Sequence, residues 1–361
     1  MENTRLLSYI LFFVLITVFS VLLNGLLLKF SKTLGIRNEK DTIVRWNTQA
    51  KPSVGGISFY VAFLLSISGF SFFYGNVSII GNQQFLGMLA SCTVAFLMGL
   101  ADDAYNTKPL LKFLAQVLCA VILILAGIVI HIFPYNWANY LFTIFWVVGM
   151  MNSINMLDNM DAITATVSVT IIIAALLIIA MNHNFSTNIH VLLLFGIMGA
   201  LIGFLYYNWY PSKLFMGDTG SQFLGVFLAG IGILYFWNSA DSTGHLVQSK
   251  QFFVSILSFI IPICDTTTVV INRLMRKQSP FIGGKDHTTH HLSYLGLSDS
   301  QVSLVFAGLS FISMLCTVFI IYYIADWGYI HIVIFGTYFL FIFGLLFYIS
   351  KISKPKLFDT R

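Results

Sequence analysis

Apolar segments long enough to cross a membrane as a helix recur from one end of this chain to the other. Such a helix needs about 17 to 25 residues to cross the hydrocarbon layer of a bilayer. Of the 361 residues, 58% are hydrophobic and 9% are charged, whereas roughly 25% of the residues in a soluble protein are charged. Eleven helices are predicted, near residues 6–30, 54–74, 85–101, 110–132, 139–157, 161–181, 190–209, 219–237, 251–273, 299–323 and 329–350.

The connections between these segments are too short to form a soluble domain. The sequence therefore predicts one domain, residues 1–361, folded as an all-α, polytopic bundle of about eleven transmembrane helices. Because proline removes a helical hydrogen bond, we expect the ninth helix to be kinked at Pro262. Core packing, not disulfide formation or metal ligation, is expected for four isolated cysteines, Cys92, Cys119, Cys264 and Cys316.

Basic residues divide unequally between the two alternating sets of connections. One set holds 17 of the 19 Lys and Arg residues, and the other keeps only Arg5 and Lys250. The positive-inside rule then predicts an N-terminus outside the cell and a C-terminus in the cytoplasm. The net charge of +5 belongs to this cytoplasmic rim, where it favours anionic lipid headgroups and does not indicate a nucleic-acid partner.

A pair of adjacent carboxylates, Asp102 and Asp103, ends the third predicted helix in "MGLADDAYNTKPLLKFLAQ". Two such groups repel each other, and a nearby cation relieves that repulsion. A solvated turn between helices is the alternative interpretation. Lys108 and Lys112 follow and fit either an interfacial anchor or a phosphate contact.

The stretch "MNSINMLDNMDAITA" places several amides and carboxylates between two strongly apolar segments. On a continuing helix, Asn152, Asn155 and Asp158 or Asn159 would follow one another along one face. Such a stripe of oxygen atoms suits a hard cation such as magnesium. A loop with helix-capping Asp and Asn side chains is the alternative.

The stretch "MGDTGS" sets Asp218 between Gly217 and Gly220, directly before an apolar segment. Asp218 would then lie at the positive end of a helix, where anions and their metals bind. The alternative is a simple helix cap.

Two further polar features precede the tenth predicted helix. Asp265 follows Pro262 by about one turn, and we expect it to be structural, bonding the threonine hydroxyls that come after it. The loop "GGKDHTTHHLSYLGLS" adds His287, His290 and His291. No cysteine is close enough to complete a familiar zinc set, so this loop favours phosphate contact over metal.

In their order along the chain, these motifs resemble those of the polyprenyl-phosphate N-acetylhexosamine-1-phosphate transferases, glycosyltransferase family 4. "KPSVGGISF" is similar to the family's proline and double-glycine segment. The family has a basic residue a few positions before the double glycine, and Lys51 and Arg45 are its only approximate counterparts here. "GLADDAYNTKPLLKFLAQ", "NSINMLDNMDAITA", "NWYPSKLFMGDTGSQFLG", "PICDTTTVVINRLMRKQSPF" and "DHTTHHL" resemble the later motifs. The similarity extends over nearly the whole chain.

The sequence departs from the family pattern at two places. Asn159 and Ala162 stand where the family has glycines after its two aspartates. The family's His-x-His-His stretch reads "TTHH" from Thr288 onward, with His287 immediately upstream.

The resemblance implies that a UDP-N-acetylhexosamine, most directly UDP-GlcNAc, gives its sugar-1-phosphate to undecaprenyl phosphate and releases UMP. It implies Mg²⁺ as the cofactor, with Mn²⁺ as a substitute, held by Asp218 with Asn155 as the second candidate. Asp102 and Asp103 would face the lipid phosphate, and these two with Asp218 are the catalytic candidates. Direct attack and a covalent aspartyl-phosphate route are both open.

The remaining candidates would bind the nucleotide sugar. They are Asn152, Asp158, Asp161, Asn208, Arg273, His290 and His291. The resemblance also implies a bacterial cytoplasmic membrane with the active site on its cytoplasmic face, and it leaves a homodimer open.

Two alternatives differ in the activity expected. The phospho-N-acetylmuramoyl-pentapeptide transferase of peptidoglycan synthesis belongs to the same family, but it resembles a ten-span layout, whereas eleven predicted segments favour the GlcNAc type. A cation-coupled transporter also keeps acids and broken helices inside the membrane. It would place functional groups near the bilayer midplane and on both faces, whereas here they crowd one edge.

Overall fold

Every regular element in the described part of the chain is a helix, as the sequence predicts. The computed structural model describes residues 2–31, 51–74, 81–181, 185, 188–240, 247–280 and 283–353. Its helices are α1 (Glu2–Ser31), α2 (Gly56–Tyr74), α3 (Gln83–Tyr105), α4 (Pro109–Leu125), α5 (Asn136–Leu157), α6 (Ile163–Met181), α7 (His190–Asn208), α8 (Gly217–Gly232, continued by a π turn Ile233–Trp237), α9 (Gln248–Ser258), α10 (Ile260–Met275), α11 (Thr288–Tyr294), α12 (Asp299–Tyr323) and α13 (Tyr329–Ile352).

Each of the eleven predicted segments coincides with one of these helices or, for the ninth, with the pair α9 and α10. Among the described residues, eight helices are long and apolar enough to cross a membrane, and the bent pair makes a ninth. The apolar parts of α2 and α4 are shorter. The number of spans and their orientation stay predictions.

Helix α4 ends earlier than the sequence predicts, at Leu125 and not at residue 132. The reason is Gly127, whose φ of 78° lies in the left-handed region. The amide of Ile128 then donates back to the carbonyl of Leu123 at 2.9 Å, which is the pattern of a glycine C-cap.

The ninth predicted helix is broken, and its two halves meet at 80°. The break lies at Phe259, three residues before the kink predicted at Pro262. A proline ring clashes with the carbonyl four residues earlier, which here belongs to Ser258, the last residue of α9. Pro262 itself lies in the first turn of α10, where a missing N–H costs little.

Helix α8 runs through the centre of the bundle, packed against α2, α3 and α5. Every residue of α8 is buried except Asp218 at its first turn. At the crossing with α2, a Cβ added to Gly56 would lie 2.2 Å from the backbone nitrogen of Gly220. Glycine is therefore required there, and the close crossing fixes where α8 begins relative to α2.

The cysteines are single and unbonded, as predicted. Cys92, Cys119 and Cys264 are fully buried, and Cys316 is half-buried.

Candidate functional site

The first turn of α8 is held against the segment that precedes α2. The amides of Gly55 and Gly56 donate to the carbonyls of Phe215 and Met216, both at 3.0 Å. Gly217 then turns the chain with a φ of 71°, and a Cβ added there would lie 2.6 Å from Oδ2 of Asp103. This turn presents Asp218, with 26% of its side chain exposed, at the edge of an otherwise buried helix.

Asp103 caps α8 from the end of α3. Its Oδ1 accepts a hydrogen bond from the amide of Asp218 at 3.1 Å. Its Oδ2 accepts from the amide of Thr219 at 2.8 Å and from the Thr219 hydroxyl at 2.7 Å. A carboxylate that satisfies the first amides of a helix also interacts favourably with its dipole. Asp103 therefore sets the position of Asp218.

Lys112, from α4, connects the first aspartate of the pair to Asp218. Its Nζ lies 2.6 Å from Oδ2 of Asp102 and 3.2 Å from Oδ2 of Asp218. The other oxygen of Asp102 accepts from the amide and the hydroxyl of Thr107, at 2.9 and 2.6 Å. The structure places Lys112 in two ion pairs, and both roles expected from the sequence, an interfacial anchor and a phosphate contact, stay predictions.

The amide of Asn155 reaches Asp218 from α5. Its Nδ2 donates to Oδ1 of Asp218 and to the hydroxyl of Ser221, the latter at 2.8 Å. The two residues predicted to hold a metal are thus in direct contact, and their metal-binding role stays a prediction. Three carboxylates and one ammonium meet here, so the formal charge excess is two negative charges.

Asn152 lies behind this cluster in a chain of amides. Its Oδ1 accepts from Nε2 of Gln116 at 3.3 Å, and its Nδ2 donates to Oε1 of Gln116 at 2.9 Å. Gln116 donates in turn to Oε1 of Gln222 at 3.1 Å. These bonds hold α4, α5 and α8 in register directly beside the acidic cluster. A substrate-binding role for Asn152 stays a prediction.

The turn between α5 and α6 carries Asp158 and Asp161 and folds against the segment before α8. Asp161 accepts from the amide and the hydroxyl of Ser212, at 2.9 and 2.8 Å, and Lys51 lies 4.0 Å from its Oδ2. Asp158 ends α5 and is half-buried. Lys51, one of the two counterparts of the family's basic residue, therefore lies beside Asp161, which is predicted to bind the nucleotide sugar. The other counterpart, Arg45, lies outside the described residues.

Asn208 fixes the same turn through backbone groups. Its Oδ1 accepts from the amide of Ala162 at 2.9 Å, and its Nδ2 donates to the carbonyl of Leu214 at 2.9 Å. Ala162, which replaces a glycine of the family pattern, keeps a left-handed φ of 64°. The structure therefore gives Asn208 a role in shaping the turn, and its predicted contact with substrate is untested.

Asp265 does not bond the threonines that follow it, and that prediction is wrong. Its Oδ1 accepts from the amide and hydroxyl of Thr288, at 2.8 and 2.6 Å, and its Oδ2 lies 2.9 Å from Nδ1 of His287. The hydroxyls of Thr266 and Thr268 have no partner in the described structure. Asp265 is fully buried and attaches the histidine helix α11 to α10.

Arg273, in the last turn of α10, forms an ion pair with Asp286, which lies in the loop before α11. Its Nε and terminal nitrogen donate to both oxygens of Asp286, at 3.0 and 2.7 Å, and Arg276 donates to the same carboxylate at 2.6 Å. Burial raises the pKa of Asp286, but the hydrogen bond and charge of Arg273 outweigh it and hold that pKa at about 2. Arg273, which is predicted to bind the nucleotide sugar, is therefore already paired with a carboxylate.

The two predicted histidines lie on α11. Burial lowers the pKa of His290 to about 3, and burial also lowers the pKa of His291, although the charge of Asp286 opposes that shift. Nδ1 of His291 lies 2.7 Å from the hydroxyl of Ser353. Both rings are neutral at pH 7, so they can offer hydrogen bonds but not positive charge to a phosphate.

The predicted residues thus form three groups. Asp102, Asp103, Asn155 and Asp218 make one contiguous cluster with Asn152 behind it. Asp158, Asp161 and Asn208 lie at the turn between α5 and α6. Arg273 lies at the end of α10, and His290 and His291 lie on α11. Sequence reasoning left out the partners Gln116, Ser221, Gln222, Ser212 and Thr289. Helical spacing could have identified three of these partners, because residues three or four positions apart share a helix face. Gln116 lies four positions after Lys112. Ser221 and Gln222 lie three and four positions after Asp218.

The carboxylate and amide oxygens of the acidic cluster are the kind of ligand that a hard divalent cation binds. Within the described residues no three His, Cys, Asp or Glu side chains form a metal cage. Magnesium is commonly bound through only one or two carboxylates, completed by water and substrate phosphates. Asp218 is partly exposed and the cluster carries excess negative charge, so the donors present suit that mode of binding.

Comparisons with known proteins agree with the motifs. The sequence model described as glycosyl transferase family 4 matches residues 85–236. A relative from Bacillus subtilis, named probable undecaprenyl-phosphate N-acetylglucosaminyl 1-phosphate transferase, is 27% identical over 270 residues, 72% of this chain and 71% of the relative.

Two further relatives carry the name phospho-N-acetylmuramoyl-pentapeptide-transferase. The protein from Listeria monocytogenes is 29% identical over 300 residues, 75% of this chain and 84% of the relative. The protein from Staphylococcus haemolyticus is 27% identical over 280 residues, 71% and 80% respectively. The matched region contains Asp102, Asp103, Asn155 and Asp218, the residues that form the acidic cluster. Residues 85–236 of this chain therefore match glycosyl transferase family 4, the family that its motifs resemble.

Proposed function

We propose that this protein transfers the sugar-1-phosphate of a UDP-N-acetylhexosamine, most directly UDP-GlcNAc, to undecaprenyl phosphate and releases UMP. The observation that carries the proposal is the contact of Asp218 with Lys112, Asp103 and Asn155 at the start of a buried helix. The Bacillus subtilis relative's name describes the same class of transfer. The product would start a lipid-linked glycan of the cell envelope.

In this reaction an oxygen of the lipid phosphate attacks the phosphorus that carries the sugar. A new oxygen–phosphorus bond forms, the bond to UMP breaks, and UMP leaves with the bonding electrons. Two anionic phosphates must approach each other, so positive charge at the site is required. The ammonium of Lys112, held by Asp102 at 2.6 Å, supplies one such charge from the chain itself.

Asp218, with Asn155 as second donor, would hold Mg²⁺, or Mn²⁺ in its place. The ion would offset phosphate charge and stabilise the leaving group. Asp103 keeps the Asp218 backbone in place through its bonds to the first amides of α8. Asp158 and Asp161, on the turn beside α11, would orient the nucleotide sugar.

The location we propose is a bacterial cytoplasmic membrane with the site on the cytoplasmic face. Eight apolar helices of spanning length within the described residues and the one-sided distribution of Lys and Arg support it. A polar site at the membrane edge would give an undecaprenyl chain access from the bilayer while the UDP-sugar arrives from water.

Transfer of phospho-N-acetylmuramoyl-pentapeptide is the second candidate. The Listeria monocytogenes relative of that name is 29% identical to this chain. Both activities use the same bond exchange, so the donor sugar distinguishes them.

The test is to incubate purified protein with undecaprenyl phosphate, Mg²⁺ and a panel of donors that includes UDP-GlcNAc, UDP-GalNAc and UDP-MurNAc-pentapeptide. We expect UMP release with an N-acetylhexosamine donor, and none when lipid or metal is omitted. Release only with the pentapeptide donor would establish the second candidate. No release with any donor would overturn the transferase activity and return cation-coupled transport to consideration.

A further inference from the structure

A hydrogen bond joins the turn after α5 to the histidine helix. The hydroxyl of Thr289, on α11, donates to Oδ1 of Asn159 at 2.6 Å. The Nδ2 of Asn159 donates to the carbonyl of Met156 at 2.9 Å, which orients the amide toward Thr289. Thr289 is fully buried, so its hydroxyl needs a partner inside the protein. We call this contact the Asn159–Thr289 bridge.

The turn is anchored independently of this bridge. Asp161 binds Ser212 through two hydrogen bonds, and Asn208 binds the amide of Ala162. Loss of the bridge would therefore leave the turn folded on the segment that precedes α8.

The histidine helix is also anchored independently. Asp265 holds its first residues through Thr288 and His287, and Ser353 contacts His291 near its end. Loss of the bridge would therefore leave α11 on α10. What the bridge adds is a fixed relation between these two separately anchored segments.

One partner of the bridge lies where this chain departs from the family pattern. Asn159 replaces a glycine, which has no side chain to reach α11. Thr289 occupies the variable position of the family's His-x-His-His stretch, directly before His290. The side chain at position 159 therefore makes possible a hydrogen bond that a glycine there could not form.

We propose that Asn159 and Thr289 are positioning residues for nucleotide-sugar binding, because their bridge fixes Asp158 and Asp161 relative to His290 and His291. The inference rests on the proposed function, which places the donor between these segments. A ligand that needs both segments binds in proportion to the fraction of molecules in which they are correctly placed. The bridge raises that fraction.

Asn159→Ala and Thr289→Val each remove the bridge. Each is expected to weaken UDP-sugar binding about fivefold, the equivalent of one ordinary hydrogen bond. The double variant should bind no more weakly than the weaker single variant, because the second change removes nothing further. The KM for undecaprenyl phosphate should stay within about twofold of wild type, since coupling between separated sites is small.

Direct binding of UDP-GlcNAc to purified protein, measured by calorimetry in the presence of Mg²⁺, is the readout. Thr289→Ser keeps the hydroxyl and should restore wild-type binding. Thr143→Val is the matched control, because Thr143 is a buried threonine whose hydroxyl bonds the amide of Ile130 and the carbonyl of Asn139. It should lower the melting temperature without changing the affinity for UDP-GlcNAc.

Unchanged affinity in Asn159→Ala and Thr289→Val would overturn the bridge's role, as would additive losses in the double variant. Wild-type protein that binds the donor but releases no UMP would overturn the proposed function and leave the bridge judged by binding alone. Wild-type protein that binds no UDP-sugar would overturn both.

Discussion

Oδ1 of Asp103 accepts a hydrogen bond from the backbone amide of Asp218 at 3.1 Å. The carboxylate at the end of α3 thereby fixes the residue that opens α8, although 115 positions separate the two in sequence. The side chain of one motif aspartate, Asp103, thus holds the backbone of another, Asp218, in position.

Asp103→Ala is expected to reduce both stability and transfer. It removes the acceptor for the amides of Asp218 and Thr219, and loss of a helix cap costs about 1 kcal/mol. Thermal unfolding in detergent and UMP release measure the two effects. Asp103→Asn keeps one oxygen acceptor and should be the milder change; equal melting temperatures for wild type and Asp103→Ala would contradict the capping role.

Asp218→Asn is expected to abolish Mg²⁺-dependent transfer without unfolding the protein. The amide has the same size but cannot offer a charged oxygen to a cation. UMP release as a function of Mg²⁺ concentration, with circular dichroism as the check on folding, measures this. Full activity of the variant in membranes would remove Asp218 from the metal site.

Lys112→Met should lower transfer at least tenfold, because removing one partner of a partly buried pair leaves Asp102 and Asp218 uncompensated, a cost of several kcal/mol. Lys112→Arg keeps the charge and should retain more activity. Side-by-side rates of UMP release at saturating Mg²⁺ compare the two. An equal loss of UMP release in both variants would show that transfer depends on the shape of the lysine side chain and not on its charge.

Ala162→Gly is expected to stabilise the protein by up to about 1.5 kcal/mol. A left-handed conformation costs an alanine roughly 1–2 kcal/mol, and glycine relieves that cost but loses about 0.4–1 kcal/mol through the greater freedom of the unfolded chain. Ala162→Val should destabilise clearly, since a branched side chain tolerates the φ of 64° poorly. Melting temperatures that rank valine above glycine would contradict the strained turn.

Asp286→Asn should destabilise the protein by about 2 kcal/mol at pH 7, and by less as the pH falls. The folded pKa of Asp286, about 2, is below its usual 3.8, so the ion pair with Arg273 contributes fully above pH 4. It is lost as the pH drops from 4 towards 2 and the carboxylate takes up a proton. Melting temperatures of wild type and variant at pH 7, 5 and 3 should converge; a constant difference would exclude this ion pair as the cause.

Much of the site was predictable because its residues occur in motifs within apolar segments. The resemblance names Asp218 and Asn155 as the candidate metal ligands, and the structure brings the two side chains into contact. Asp265 was assigned the wrong partners because local spacing favoured the adjacent threonines. Its true partners lie 22 and 23 positions away, on a helix that only folding brings near.

The sequence by itself determined that this protein is a bundle of apolar helices with its polar chemistry concentrated at helix ends and in a few connections. The physical reason is that a backbone inside a bilayer must satisfy its hydrogen bonds internally, and helices do so from local sequence. Only the tertiary structure decided which polar groups meet. Side-chain spacing defines the face of one helix, but the packing of α3 and α5 on α8, and of α4 on α3 and α5, determines that Lys112 lies between Asp102 and Asp218.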